Sequence, residues 1–252
     1  MVHWYHCINE SFDEISYLVY IDNFLSKDEL EMCTQWLEKR YYDKDFVGDT
    51  ALDDTRSYGS QTRKQMCFQT ENKYFCPKWK ERYPRWESKE YDDTLRVIQD
   101  IVERRLKNHY IFSEFSINLK RIQALYREKL NVNFNFNSCL VNLYESGNEG
   151  ISPHRDNIDS FGVYPTIVGL SIGATRHMKI QRIIYNERNT PSLKIDNNPD
   201  NKGLSMQFPL ENNSVFIMMG ASQKYYTHEI VKEPTVQDKR FSFTFRHWID
   251  SK

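Results

Sequence analysis

The chain has 252 residues, enough to bury the core of one large domain or of two small ones. Its 34 Lys and Arg residues nearly balance its 35 Asp and Glu residues, and the net charge is −1. This balance excludes a global positive field that would attract nucleic acid, so such a partner would need a local basic patch. The five cysteines are odd in number and lack zinc-ligand spacing, which argues against a zinc site or a disulfide framework and favours a reducing compartment.

The first fifteen residues are polar and acidic, without the basic start and apolar run of a signal peptide. No stretch of about 18 consecutive apolar residues occurs, so we expect no membrane span and no membrane partner. These features predict an intracellular monomer, in the nucleus or the cytoplasm.

Two helices are predicted in the first half of the chain. Ser26 and Glu29 form a capping box ahead of an apolar stripe, which predicts a helix to about Arg40. A second helix is predicted from Asp93 or Thr94, where apolar residues recur at helical spacing. Residues 43–92 between the helices are predicted to be irregular, and their aromatic content indicates a functional segment rather than plain disorder.

The second half of the chain has the period-two alternation of β-strands. Val132, Phe134 and Phe136 alternate with asparagines and predict one strand. Further strands are predicted at 166–172, 177–184, 204–209, 214–219 and 239–248. Residues 186–203 are predicted to be an exposed insertion between two strands. Many short strands in series favour an all-β barrel or a double-sheet jelly roll.

A metal site is predicted from His154, Asp156 and His228. Residues two apart on a strand point to one face, so His154 and Asp156 can bind one ion together. A lone His-x-Asp is weak evidence, and the third ligand must come from elsewhere. His228, after the strand that begins at Val215, supplies the second imidazole of a two-His-one-carboxylate face, which is typical of non-haem iron(II) oxygenases.

The last strand carries a possible carboxylate site. Arg240, Ser242, Thr244 and Arg246 share one face, and three phenylalanines share the other. One interpretation is an edge strand with its polar face in water. The other is an arginine that binds the carboxylate of 2-oxoglutarate. Asn142 and Tyr144 likewise share a face shortly before His154, although ordinary strand polarity also explains that pair.

Together these segments resemble the AlkB family of nucleic-acid dealkylating dioxygenases. The family pattern is Asn-x-Tyr, His-x-Asp, a distant His, and two arginines separated by five residues. The matching segments are Asn142-Leu143-Tyr144, His154-Arg155-Asp156, His228, and Arg240 with Arg246. Two further stretches resemble the eukaryotic repair branch: Leu170-Ser171-Ile172-Gly173-Ala174-Thr175-Arg176 and Met219-Gly220-Ala221-Ser222-Gln223.

The resemblance implies a single domain over residues 1–252, mainly β with some α. Residues up to about 110 would form N-terminal helices and an irregular lid, and residues from about 111 to 249 a double-stranded β-helix (jelly-roll) core. His154, Asp156 and His228 would ligate Fe(II), with 2-oxoglutarate and O2 as co-substrates. The 2-oxoglutarate site would consist of Asn142, Tyr144, Arg240, Thr244 and Arg246. Arg246 could instead support Asp156.

The resemblance also implies oxidative dealkylation of N-alkylated bases in DNA or RNA, with the base taken out of its stack. Residues 58–86 would form a nucleotide-recognition lid. Thr62-Arg63-Lys64-Gln65 is similar to the family's Pro-Arg-Lys-Gln, and Tyr58, Tyr74 and Phe75 are candidate stacking residues. A run of interleaved basic and aromatic residues follows, which suits a backbone groove: Lys78, Trp79, Lys80, Arg82, Tyr83, Arg85 and Trp86. The alternative is a solvated loop anchored by its aromatics.

One position departs from the family pattern. Repair enzymes of this family have Asp or Glu two residues after the metal-binding Asp, where the acid contacts the base. Here Ile158 stands in that position and Asp159 follows, so a one-residue slip of the loop would be needed to restore a carboxylate contact. Two other hypotheses remain open: a related dioxygenase that acts on a protein or a small molecule, and a catalytically silent binding module of the same fold.

Overall fold

The fold is described from a computed structural model. The residues that it describes are 2–11, 14–48, 63–70, 74, 80, 87–109, 134–185, 191–195 and 205–249. None of the helices within these ranges is long and apolar enough to cross a membrane.

The described strands form two antiparallel sheets, of which the larger has eight strands. In sheet order its strands are β1 (Val2–Ser11), β2 (Glu14–Ile21), β11 (Ser214–Gly220), β7 (Ile167–Gly173), β13 (Arg240–Arg246), β5 (Ser138–Tyr144), β4 (Lys64–Gln69) and β3 (Val47–Gly48). The polar β13 therefore lies between β7 and β5. The edge-strand interpretation of β13 is wrong, because both of its backbone edges are paired.

Two helices cover one face of the larger sheet: α1 (Lys27–Tyr42) and α2 (Asp93–Asn108). The predicted capping box is confirmed, since the Ser26 hydroxyl accepts from the Glu29 backbone N–H and the Glu29 carboxylate accepts from the Ser26 N–H. From β13, Phe243 packs against Trp36 of α1 with ring centroids 5.6 Å apart. Phe241, Phe243 and Phe245 all belong to this helix-facing core. The polar residues of β13 consequently face the other way, toward the second sheet.

The smaller sheet has the order β10, β8, β12, β6, and β9 pairs with β8. These strands are β10 (Ser205–Leu210), β8 (Arg176–Tyr185), β12 (Tyr226–Ile230), β6 (Ile151–His154) and β9 (Pro191–Ile195). A second apolar core, which includes Phe208, Phe216 and Met218, lies between the two sheets. Two single-turn helices complete the described elements: α3 (Ile158–Phe161) and α4 (Ser222–Tyr225).

The predicted mainly-β, double-sheet core with N-terminal helices is confirmed, but one predicted strand is wrong. Phe134 and Phe136 lie in an extended segment ahead of β5 that is not a strand, and Val132 lies outside the described residues. Side chains of α2 replace the missing strand partner. Gln99 donates to the Phe136 carbonyl at 2.8 Å, and the Glu103 carboxylate accepts from the Phe136 N–H at 2.8 Å. The alternation of residues here is that of an extended backbone that lies against a helix, not of a strand in a sheet.

Two other expectations need correction. The stretch 43–92 is not wholly irregular, because β4 lies within it and pairs with β5. The segment 186–203 is not simply an exposed insertion, because β9 lies within it and pairs with β8. His228 follows β11 as expected, and it lies on a strand of its own, β12, directly opposite His154. The N-terminal strands β1 and β2 were not predicted, although β2 is buried along most of its length.

Candidate metal and carboxylate site

The three predicted metal ligands converge between the two sheets. His154, Asp156 and His228 each offer a ligand atom, and these atoms lie within 4.8 Å of one another. His154 ends β6 and pairs across the sheet with His228, which brings the ring centroids to 4.2 Å. Asp156 lies beyond the end of β6, and its Oδ1 atom is 4.0 Å from His228 Nε2. The strand was expected to extend to Asp156; the turn after His154 brings the carboxylate to the same place.

Both imidazoles are held neutral, as metal ligation requires. Burial, followed by the nearby His154, lowers the pKa of His228 to about 3. Burial also lowers the pKa of His154, against the opposing charge of Asp156. His154 Nδ1 lies 2.8 Å from the Ser152 carbonyl, to which the ring N–H donates, and this tautomer leaves Nε2 for a metal. Two neutral imidazoles and a carboxylate fit non-haem Fe(II).

Asp156 is fixed on two sides. Burial raises its pKa, but the charge of Arg246 and its hydrogen bond to the carboxylate outweigh the burial and hold the pKa below its usual value. Arg246 pairs with the carboxylate through Nε and through a second nitrogen at 3.3 Å from Oδ1. Of the two roles predicted for Arg246, the geometry thus favours support of Asp156. The side-chain oxygen of Gln223 accepts from the Asp156 backbone N–H at 2.9 Å.

The position of Gln223 is itself secured by its helix. Gln223 lies on α4 and is 1% exposed. The next residue, Lys224, forms an ion pair of 2.6 Å with Glu14 of β2, and Tyr225 and Tyr164 donate to the same carboxylate. These contacts attach α4 to β2, so that the Gln223 amide meets the Asp156 backbone at a defined place. Gln223 was not predicted as a site residue, although the motif ending at Gln223 was noted.

Arg240 is the best candidate for binding a carboxylate. It is 3% exposed, and burial lowers its pKa to about 10, so it is still charged at neutral pH. One terminal nitrogen donates to the Ser171 hydroxyl at 2.9 Å, while Nε and the other terminal nitrogen have no hydrogen-bond partner. Buried guanidinium nitrogens are normally satisfied. Two that are not, beside a metal-ligand triad, fit a carboxylate co-substrate.

Tyr144 lies between two buried arginines. Its ring is 5.2 Å from the Arg240 guanidinium and 5.7 Å from that of Arg176. Arg176 is fully buried and donates to the carbonyls of Ser146 and Glu149, at 3.0 and 2.6 Å, and to the carboxylate of Glu233. Arg176 therefore holds the loop that leads into β6. It lies in a motif noted from the sequence, but its role there was not predicted.

The remaining predicted co-substrate residues line the same cavity. It has a volume of about 210 Å³, and Asn142, Tyr144, Arg240, Thr244 and Arg246 are all among its lining residues. Asn142 accepts from Arg63 Nε at 2.6 Å and lies across the sheet from Ser242. Thr244 lines the cavity half-buried. The cavity thus combines the metal-ligand triad, an arginine with unpartnered nitrogens and an apolar wall.

The predicted substrate residues are only partly brought together. Arg63 is buried in the cavity wall and donates to the side chains of Asn142 and Gln65. Asp159 is exposed on α3, and Tyr74 is half-buried; neither is among the residues that line the cavity in the described part of the chain. Tyr58 and Phe75 lie outside the described residues, as does the basic and aromatic run apart from the exposed Lys80.

A family-level comparison agrees with this geometry. The model of the 2OG-Fe(II) oxygenase superfamily matches residues 17–246, nearly the whole chain. The chain belongs to the 2OG-Fe(II) oxygenase superfamily. This membership confirms the predicted family and its cofactor set of Fe(II), 2-oxoglutarate and O2, and the cluster of His154, Asp156 and His228 fits the iron.

Relatives within this superfamily are AlkB homologues. The alpha-ketoglutarate-dependent dioxygenase alkB homolog 3 of Homo sapiens, like that of Bos taurus, is 31% identical over 116 residues. The match covers 46% of this chain and 38% of the relative, so it spans less than half of each protein. The DNA oxidative demethylase ALKBH2 of Arabidopsis thaliana is 25% identical over 118 residues, 44% of this chain and 37% of that protein.

Solved structures of the superfamily have the same fold. The structure of OsALKBH1 has a TM-score of 0.54 at 15% identity, over 91% of this chain and 97% of that one. A prolyl hydroxylase from Trichoplax adhaerens, in complex with a hypoxia inducible factor peptide fragment, has a TM-score of 0.53 at 11% identity, over 92% and 83%. These likenesses confirm the predicted double-stranded β-helix fold.

Proposed function

We propose that this protein is an Fe(II)- and 2-oxoglutarate-dependent dioxygenase that removes alkyl groups from N-alkylated bases of DNA or RNA. The observation that carries the oxygenase part is the pair of unpartnered nitrogens of Arg240, buried in the same cavity as the triad. A silent binding module would not need a buried, unsatisfied cation beside three convergent ligand side chains.

Different residues of the cavity would bind the metal and the co-substrate. His154, Asp156 and His228 would hold the metal, and Arg240 and the Ser171 hydroxyl would receive the far carboxylate of 2-oxoglutarate. Bound Fe(II), with 2-oxoglutarate and O2, supplies the oxidising power to hydroxylate an alkyl carbon, whose loss as an aldehyde restores the base. Arg246 would hold the Asp156 carboxylate in place, and Gln223 would hold the Asp156 backbone.

The nucleic-acid part of the proposal has separate support. The relatives that match are named as AlkB homologues, and one of them as a DNA oxidative demethylase. Arg63 adds a positive charge to the cavity wall. The run of basic and aromatic residues between Lys78 and Trp86 has the composition of a segment that binds phosphates and stacks bases. We place the protein inside the cell as a monomer, in the nucleus or the cytoplasm.

A turnover assay tests the proposal. The full chain, supplied with Fe(II), 2-oxoglutarate and O2, would be incubated with single- and double-stranded DNA and RNA oligonucleotides that each carry one N-methylated base. We expect formaldehyde and succinate to form in equal amounts with at least one oligonucleotide, and neither to form with the His154→Ala variant. Succinate without base-dependent formaldehyde on any oligonucleotide would refute the nucleic-acid part and favour a protein or small-molecule substrate.

A further inference from the structure

Positively charged side chains outnumber negatively charged ones in the described cavity wall. Within the described part of the chain, four arginines and a single carboxylate line the cavity: Arg63, Arg155, Arg240, Arg246 and Asp156. The carboxylate is already committed, because Arg246 pairs with it and it belongs to the metal-ligand triad. The described wall therefore offers no second carboxylate to a positively charged substrate.

The short helix after the metal ligands keeps Asp159, the next acidic residue in the chain, out of the described wall. Asp159 is exposed, and its backbone N–H donates to the side chain of Asn157 at 2.9 Å. The backbone N–H of Gly162 donates to the Ile158 carbonyl, and that of Ile249 donates to the Ser160 carbonyl, both at 2.9 Å. These bonds set the register of α3. A one-residue slip that carried Asp159 to the position of Ile158 would break them.

Exposed apolar residues lie next in the chain to Asn157 and Phe161, which line the cavity. Ile158 is 50% exposed, and three other large hydrophobic residues on the same or adjoining segments are also exposed: Val163, Tyr164 and Ile249. Phe161, one turn after Asn157, lines the cavity itself. Such a surface packs against the uncharged face of a ring and gives no electrostatic compensation to a cation.

A cation lies close to the same edge. Arg155, between the metal ligands, lines the cavity, and one of its terminal nitrogens is 3.4 Å from the Lys224 carbonyl. Its buried Nε has no hydrogen-bond partner. At an effective dielectric of about 20, a unit charge within roughly 10 Å of another changes a binding constant by about tenfold. A positively charged base would therefore be repelled where a neutral base would not.

We propose that this site selects N-alkylated bases that are electrically neutral over those that carry a positive charge. The proposal rests on the proposed function, since it presupposes that the substrate is an alkylated base. It concerns the charge of the base ring alone. Methylation at N3 gives a cation when the ring is cytosine and a neutral ring when it is uracil, so the charge can be varied while the alkylated position is kept.

The test compares these two bases in one oligonucleotide sequence. Formaldehyde release at neutral pH would be measured with single-stranded RNA carrying 3-methyluracil or 3-methylcytosine, and kcat/KM would be obtained for each. We expect kcat/KM for 3-methyluracil to exceed that for 3-methylcytosine by about tenfold. Equal values, or a preference for 3-methylcytosine, would overturn the proposal while leaving the proposed function intact. Release from neither, together with release from no other alkylated base, would refute both.

A pair of variants tests whether the charge at the edge of the cavity causes the preference for a neutral base. Ile158→Asp introduces a carboxylate on the exposed face of α3, and Ile158→Asn introduces a neutral side chain of the same size. The Asp variant should raise the 3-methylcytosine to 3-methyluracil ratio by about tenfold, and the Asn variant should leave the ratio unchanged. An equal shift in both variants would show that size or polarity, rather than charge, sets the preference, and would overturn the proposal. Far-UV circular dichroism of both variants checks that they fold.

Discussion

Replacement of Arg240 by methionine tests two effects of this buried charge: that it destabilises the fold and that it binds the co-substrate. Arg240 is 3% exposed, and two of its guanidinium nitrogens have no hydrogen-bond partner. Burial lowers its pKa to about 10, and this shift corresponds to a folding cost on the order of 3 kcal/mol for the charged form. The bond to Ser171 and the contact with Tyr144 offset part of this cost. We therefore expect Arg240→Met to leave the melting temperature of the metal- and co-substrate-free protein unchanged, or to raise it by a few degrees.

The same substitution should abolish tight co-substrate binding. Removal of one partner from a buried, charge-assisted pair costs about 2 to 5 kcal/mol, equivalent to a loss of about 30-fold to several thousand-fold in affinity. Anaerobic calorimetric titration of 2-oxoglutarate into the Fe(II)-loaded protein measures this directly. Ser171→Ala, which removes only the neighbouring hydroxyl, is the matched control and should weaken binding far less. Unchanged affinity in Arg240→Met, or a loss of many degrees in its melting temperature, would refute this account of Arg240.

Three further predictions concern the metal, its support and the substrate. His154→Ala and Asp156→Ala should each abolish 2-oxoglutarate turnover while the circular dichroism spectrum is retained; full turnover by either would contradict the metal assignment. Gln223→Leu removes the acceptor for the Asp156 N–H and should weaken Fe(II) binding by about 10- to 100-fold in a metal titration, with recovery in Gln223→Glu; equal affinity in all three proteins would exclude a positioning role. If residues 58–86 bind nucleic acid, anisotropy of labelled single strands should fall steeply as salt rises, and Tyr74→Ala or Phe75→Ala should lower oligonucleotide turnover but not uncoupled decay of 2-oxoglutarate. Salt-independent binding would count against phosphate contacts.

The metal ligands could be predicted because residue type and spacing alone identify side chains that can bind one metal ion. His154 and Asp156 are two apart, and few histidines were available as the third ligand. What spacing could not show is that His154 and His228 are direct partners across the smaller sheet, since the pairing of β6 with β12 is a property of the whole topology. The role of Arg246 was left open for the same reason: its bond to Asp156 connects residues 90 positions apart.

One of the missed strands, β4, has an identifiable physical cause. β4 has glutamines at 65 and 69, which resemble loop residues in the sequence but are buried in the structure, Gln65 in the wall of the cavity. A strand whose inward face serves a polar site loses the alternation by which strands are recognised. Phe134 and Phe136 show the converse, since they alternate as a strand would, yet the backbone of Phe136 bonds to side chains of α2. In this segment the alternation of residues indicates which side chains are buried. It does not indicate which part of the chain bonds to the backbone.

The two-sided character of β13 has a consequence for how this protein can vary. Phenylalanines on one side hold the helices, and Arg240 and Arg246 on the other side serve the cavity, so a single inserted residue within the strand would exchange the two sets. Stability and catalysis would then be lost in one step. We therefore expect an insertion or deletion within β13 to be tolerated far less than one in the connections that flank it. New substrate preferences in this lineage would arise at the edge of the cavity, around α3, while β13 keeps its length and register.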